Sequence, residues 1–214
     1  MSAITISRQY GSLGDEIGRD VAERLHLRLV DGKVIAEIAR GLGLAASDFE
    51  DRDEYQGTVV SDLVRTMRHL YPATIAPPPT PESPELDDSS YLEVIRQVIW
   101  EVARTEDAVI VGRGAASILG SSPTVLHALI IAPLAVRTER VMTADNLDHP
   151  HAVQRIKQID ERRARYIRRF YGADWLDVNG YDLVVNTGHF SQLSAVQFIC
   201  DAATPMRPMA SDES

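Results

Sequence analysis

The stretch that decides the fold is Ile4–Gly18, "ITISRQYGSLGDEIG". A short β-rich run enters a turn rich in Gly and Ser. Residues 14–26 then place Ile17, Val21 and Leu25 four apart, the stripe of an amphipathic helix. Strand, glycine turn and helix together have the shape of a phosphate-binding loop. Gly11 and Gly14 let backbone N–H groups turn inward, and the helix N-terminus adds partial positive charge. Ser7, Arg8 and Ser12 supply further donors. A standard loop closes with a Lys that reaches the β- and γ-phosphates and a Ser/Thr that holds magnesium; here those places fall on Gly14 and Asp15. Asp15 and Glu16 suit a helix N-terminus but oppose a phosphate brought close to them. The alternative for these letters is a helix N-terminus with tight glycine packing. Glycines at 11, 14 and 18 do not spell Gly-x-Gly-x-x-Gly, so a dinucleotide fold gains little support.

Outward from the loop, strand-like runs alternate with helical patterns. Strands are expected at 3–7, 27–30, 107–114, 125–132 and 181–187; the uninterrupted apolar runs "DAVIVGRG" and "VLHALIIA" suit strands buried on both faces, as in parallel sheets. Helices are expected over "KVIAEIARGLGL", from Ser47 to Tyr71, and at about 89–105, 148–170 and 190–202. Residues 72–84 hold six of the eleven prolines and read as a loop or extended linker. The tail from Thr204 looks disordered. Alternation of this kind predicts an α/β fold with a parallel sheet, whose ligands bind at the carboxyl ends of the strands. Ser7–Gly14, Asp31–Lys33 and Gly112–Gly114 all follow predicted strands.

The 214 residues suffice for one domain with a sizeable core, and 44% apolar with 25% charged residues is the balance of an ordinary soluble protein. No apolar run is long enough to span a membrane and no signal peptide is visible, so neither a membrane nor an export route is expected. The lone Cys200 fits a reducing cytoplasm. A net charge of −9 argues against a long nucleic acid as partner. Within this acidic chain, Arg162, Arg163, Arg165, Arg168 and Arg169 form a dense cationic run, better suited to a small anionic ligand than to a polyanion. The same run also reads as a solvated helix face. Arg113, flanked by glycines at the end of a strand, can reach into a site there or pair with Asp31 or Glu16. Asp160 with Arg163, and Arg162 with Tyr166, share helix faces by spacing. Trp100 and Trp175 read as core or hinge packing. The six histidines show no metal-ligand spacing, and no Ser/His/Asp or Cys/His constellation is visible.

Taken in order, "ITISRQYGSLGDEIG", "VIVGRGAASIL", "APLAVRTERV", "IKQIDERRARYIRRFYG" and "YDLVVNT" closely resemble the cytidylate kinase-like family of P-loop proteins, from about residue 3 to 202. The resemblance implies a nucleoside monophosphate kinase fold: a five-stranded parallel sheet flanked by helices, in one domain over 1–204. It also implies an acceptor-binding insertion at about 45–90 and an arginine-bearing lid at about 145–172. Arg113 matches the Arg of a Gly-Arg-Asp segment that contacts the nucleoside monophosphate, with Gly114 where the Asp would stand. The lid arginines are drawn from Arg162, Arg163 and Arg165. Arg137 and Arg140 resemble positions near the ATP phosphates or base, and Asn186 and Thr187 fall in the adenine-side loop. Members of this kinase-like family usually resemble "GSGGREIG"; here Leu13 replaces a glycine, which narrows the turn, and Asp15 replaces a basic residue.

The activity implied is transfer of the ATP γ-phosphoryl, with Mg2+, to a nucleoside monophosphate or similar small acceptor. Arg113 would hold the acceptor phosphate, Arg162 and Arg163 would stabilise the transferring group, and Asp31 would assist magnesium or the acceptor. Lys33 is the lysine nearest the site in sequence and a candidate stand-in for the missing one. Two other readings stand beside this one. The first is a nucleotide-binding or regulatory module that keeps the fold without transfer. The second is a structural role in which the helices at 57–71 and 89–105 build a homodimer.

Overall fold

The computed structural model describes residues 3–35 and 88–204. The helix expected from Ser47, the Pro-rich stretch, most of the insertion at 45–90 and the tail beyond 204 lie outside the described residues. Five strands form one parallel sheet: β1 (Ala3–Arg8), β2 (Arg28–Val30), β3 (Ala108–Val111), β4 (Val125–Ile131) and β5 (Leu183–Asn186), in the order β2-β3-β1-β4-β5. The central strand β1 pairs Ile4 with Val109 on one side and with Leu126 on the other.

The helices are α1 (Gly14–Arg24), α2 (Asp88–Thr105), α3 (Ala115–Leu119), α4 (Leu134–Asp145), α5 (His149–Tyr171) and α6 (Gln192–Ala203). Alternation along the strands divides the core in two. Ile4, Ile6, Val109 and Val111 pack on one face with Ile17 and Val21 of α1 and Val196 and Ile199 of α6. Ala3, Ala108 and Ile110 pack on the other with Val98, Ile99 and Val102 of α2 and Ile118 of α3. β3 and β4 are therefore buried on both sides, which is why their sequences read as near-continuous apolar runs. A buried polar pair lies inside the sheet: the Thr5 hydroxyl and His127 Nδ1 are 2.7 Å apart, and His127 Nε2 lies 2.8 Å from the Gly120 carbonyl.

Strand ends differ from expectation where backbone geometry intervenes. The third strand stops at Val111, because Gly112, Arg113 and Gly114 all take left-handed φ (78°, 54° and 73°). That turn ends the ladder and starts α3. α4 has no counterpart among the helices expected from periodicity. α5 is a single 23-residue helix; Asp148 caps it by accepting from the His151 amide, and Gly172 closes it at φ 64°. Trp175 is buried as expected, whereas Trp100 is 54% exposed and is not core among the described residues.

Candidate phosphate-binding site

The crevice of this sheet lies where strand order reverses, at the carboxyl end of β1 between β3 and β4. The loop from Arg8 to Gly14 fills it. Its near side is stapled to β4: the Gln9 amide donates to the Ile130 carbonyl at 3.0 Å, and Gln9 Oε1 accepts from the Ala132 amide at 3.0 Å. Ser12 is buried, and its hydroxyl lies 2.8 Å from the Gln9 carbonyl and 3.1 Å from that of Ile130. Its oxygen therefore braces the loop. Gly11 sits against α4, where a Cβ would stand 2.9 Å from Val141. Leu13 takes φ 67° as the N-cap of α1, so the turn is kept although no glycine stands there. The amides of Gly14, Asp15 and Glu16 have no partner within α1, as in the first turn of any helix, and they point where an anion is favoured.

A second layer locks the loop to α4 and α5. Arg137 is buried; it donates to the carbonyls of Ala132 (3.0 Å) and Tyr10 (3.1 Å) and to Asp160 Oδ2 (2.6 Å). Asp160 Oδ1 accepts from the Tyr10 amide at 2.9 Å, so one carboxylate clamps both the arginine and the loop backbone. The Tyr10 hydroxyl donates to Asp145 at 2.7 Å. Arg140 donates to Thr187 Oγ1 and carbonyl and to the Gly11 carbonyl, while the Thr187 hydroxyl donates to the Ser12 carbonyl at 2.8 Å. The donors of Arg137, Ser12 and Thr187 are thus turned inward, into the scaffold under the loop. Asn186 Oδ1 caps the next turn by accepting from the Gly188 amide.

The third layer faces the crevice. Arg8 leaves β1, crosses Gly14, passes Gly112 and donates from Nε (3.0 Å) and Nη2 (2.8 Å) to Asp15 Oδ1. Withdrawal from water opposes ionisation of Asp15, but the nearby Arg8, Arg163 and Arg19 outweigh it and hold the carboxyl below its ordinary range. Arg163 donates to the Arg8 carbonyl at 2.8 Å, and its guanidinium lies 5.9 Å from the Tyr10 ring centroid. Desolvation first, and then the charge of Arg8, bring the Arg163 pKa down to about 10, so it still carries its charge at neutral pH. Arg113 lies across Gly32, with Nη2 2.8 Å from where a Cβ would stand. The adjacent Asp31 accepts from the amides of Lys33 and Val34, each at 3.0 Å. Arg162 is on the exposed side of α5, and the Ser7 hydroxyl meets that of Tyr181.

Arg8, Gly11 and Gly14 therefore stand at or beyond the carboxyl end of β1 with Arg163 bonded to the Arg8 carbonyl, while Arg113, just beyond β3, lies across Gly32. Asp160 shares a helix face with Arg163, whose charge it favours, and its hydrogen bonds go to Arg137 and the Tyr10 amide. Gln9, Tyr10 and Asp145 were not among the residues singled out by sequence. A Tyr inside a glycine loop was the available signal, since a ring that large needs a wall to pack on. Among the described residues no helix is long and apolar enough to cross a membrane, and no group of three acidic, His or Cys side chains could hold a metal.

Residues 3–189 match the model of the cytidylate kinase-like family, and the chain belongs to that family. It is 26% identical over 212 residues to a cytidylate kinase of Methanopyrus kandleri, covering 95% of this chain and 93% of the relative. It is 27% identical over 190 residues to one of Pyrococcus horikoshii, covering 88% and 81%. Among solved structures, an uncharacterized protein from Eubacterium ventriosum superposes with TM-score 0.70 at 21% identity over 95% of this chain and 99% of that one. Shikimate kinase from Bacteroides thetaiotaomicron follows with TM-score 0.51 at 16% identity over 95% and 98%, which places the fold among P-loop kinases.

Proposed function

We propose that this protein is a phosphotransferase that moves the γ-phosphoryl of ATP to a nucleoside monophosphate or similar small acceptor. The observation that carries the reading is that Arg8, with Arg163 bonded to its carbonyl, runs past Gly14 and Gly112 beside the first turn of α1, in a chain whose relatives are cytidylate kinases. An acceptor oxygen would attack the γ-phosphorus, the bond to the β–γ bridging oxygen would break, and ADP would leave with that electron pair. Catalysis would come from positioning and charge neutralisation. Arg113 would hold the acceptor's phosphate, while Arg163, helped by Arg162, would face the charge that builds on the transferring group. Arg137, Arg140, Ser12 and Thr187 would act by fixing the loop. The backbone around Asn186 would border the adenine.

Mg2+, when bound, would supply positive charge against the charge that builds on the phosphates. It is held in such sites by one or two carboxylates together with substrate phosphates and water. Asp31, which directly follows β2, fits that modest requirement. A cytoplasmic location agrees with the unpaired, buried Cys200.

The second reading, a nucleotide-binding module without transfer, is favoured by one observation: the places of Lys and Ser/Thr hold Gly14 and Asp15. A coupled assay of ADP release against a panel of nucleoside monophosphates separates the two. Turnover with at least one acceptor is expected, and Arg113→Ala or Arg163→Ala should each slow it by on the order of a hundredfold. ATP binding by calorimetry without turnover on any acceptor would establish the second reading instead.

A further inference from the structure

We propose that Arg8 is the phosphate-facing cation of this loop, standing in for the absent lysine, and that Asp15 is the latch from which a polyphosphate takes it. The inference rests on the phosphotransferase reading and names the residue that makes the loop competent. Laid on this chain with Gly14 at the lysine place, the spacing Gly-x-x-x-x-Gly-Lys-Ser/Thr puts its four fixed positions on Arg8, Leu13, Gly14 and Asp15. All four are replaced, and the structure accounts for the set. Leu13 preserves the left-handed turn at φ 67°. A Cβ on Gly14 would collide with Arg8 Cβ and stand 2.7 Å from its Cγ. A side chain at 14 and the path taken by Arg8 are therefore mutually exclusive: Arg8 fills the volume at the start of α1 into which a lysine at 14 would project.

Arg8 is held in that volume by its neighbours. Beyond Gly14 its Nη1 passes Gly112, where any Cβ would collide with it. Its side chain is 19% exposed, whereas that of Asp15 is 52% exposed. Gly14 confines the base of the side chain and Gly112 its guanidinium, and the carboxylate is the half of the pair more open to water. An ion pair with one member so exposed is a weak hold. A triphosphate brings several charges and planar oxygen pairs that match the guanidinium fork better than a single carboxylate oxygen. Arg163, bonded to the Arg8 carbonyl, places a second cation beside the first and favours any ligand that neutralises both.

The test is calorimetric binding of ATP, AMP and inorganic triphosphate to the full-length protein and its variants, with thermal melts to confirm folding. Arg8→Gln should weaken ATP and triphosphate at least tenfold with AMP little changed, and Arg8→Lys should recover most of the loss. Asp15→Asn should bind triphosphate severalfold more tightly than the parent, because the competing carboxylate is gone. Since the obstructing atom is Arg8 Cβ, only glycine at 8 makes room at 14. The double variant Arg8→Gly with Gly14→Lys should therefore recover triphosphate binding that Arg8→Gly alone lacks. Unchanged ATP affinity in folded Arg8→Gln overturns the proposal and leaves the phosphotransferase reading standing. Weaker binding in Asp15→Asn overturns it too, since a latch that is removed cannot cost affinity. Binding that appears only in Asp15→Asn supports a latched loop. No binding by the parent or by any variant overturns both this proposal and the phosphotransferase reading.

Discussion

Removing the Asp160 carboxylate should loosen the loop and destabilise the whole domain. Asp160 is a helix residue that touches neither strand nor ligand crevice directly, yet it accepts from the Tyr10 amide at 2.9 Å and from Arg137 Nη1 at 2.6 Å. The side chains of Arg137 and Asp160 are 8% and 17% exposed, so Asp160→Ala leaves a nearly buried guanidinium without its counter-charge. Breaking such a pair from one side costs about 3–5 kcal/mol. Two carbonyl bonds still hold Arg137 and some water reaches the acid, which puts the expectation near the lower end, about 3 kcal/mol. For a chain of this size that corresponds to a fall in melting temperature of roughly 6–12 °C. Asp160→Asn keeps an acceptor for the Tyr10 amide and loses the charge, so it should fall between the parent and the alanine variant. Scanning calorimetry of the three proteins at neutral pH reads the series. If Asp160→Ala melts within a degree or two of the parent, the clamp does not hold the loop and the reasoning fails.

Three other outcomes follow from single positions. Thr5→Val strips a hydroxyl from buried His127 Nδ1 and should cost about 1–3 kcal/mol, as for any buried polar group left unsatisfied; adding His127→Leu should return part of it, and denaturant melts read both. At Leu13 the usual order of substitutions should invert. Both Leu13→Gly and Leu13→Ala lose the packing of a half-buried side chain, but only glycine escapes the left-handed φ of 67°, so Leu13→Gly should be the more stable by about 1 kcal/mol. The depressed pKa of Asp15 means that its ionised form favours the folded state. That contribution is complete above the ordinary value of 3.8 and is lost as pH falls below it toward the lower folded value. Asp15→Asn should therefore show a shallower loss of stability as pH falls below 3.8, and an acid limb identical to the parent's would contradict the pairing with Arg8.

The parts legible in the sequence were those set by local periodicity and by chain order. Val109, Ile110 and Val111 lie in a run with no polar face, and the sheet buries them on both sides. Ile17 and Val21 repeat at helical spacing and pack where that spacing puts them. The left-handed turn at 112–114 was not legible as a strand end, because Arg113 takes φ 54°, which its residue type disfavours and only the surrounding packing imposes. The roles of Arg137 and Arg140 were hidden for a different reason. Both arginines follow the fourth strand, but the helix that carries them was not expected, and their donors meet backbone carbonyls and an acid 23 residues onward. No pattern within one helix announces a partner on another.

The same distinction explains why the loop's letters mislead when read one at a time. Asp15 taken alone is a negative charge beside a phosphate site, and Gly14 taken alone is a missing lysine. In three dimensions Gly14 is what lets Arg8 through, Gly112 is what lets its guanidinium stop there, and Asp15 is what its charge meets. Restoring a consensus residue at one of these positions would then do harm: a lysine at 14 collides with Arg8 while Asp15 still demands a partner. The degeneracy of the loop is a property of the alignment with the standard spacing. In the folded chain the four replacements fit one another, and Arg163 of α5 sets a second cation beside Arg8 of β1.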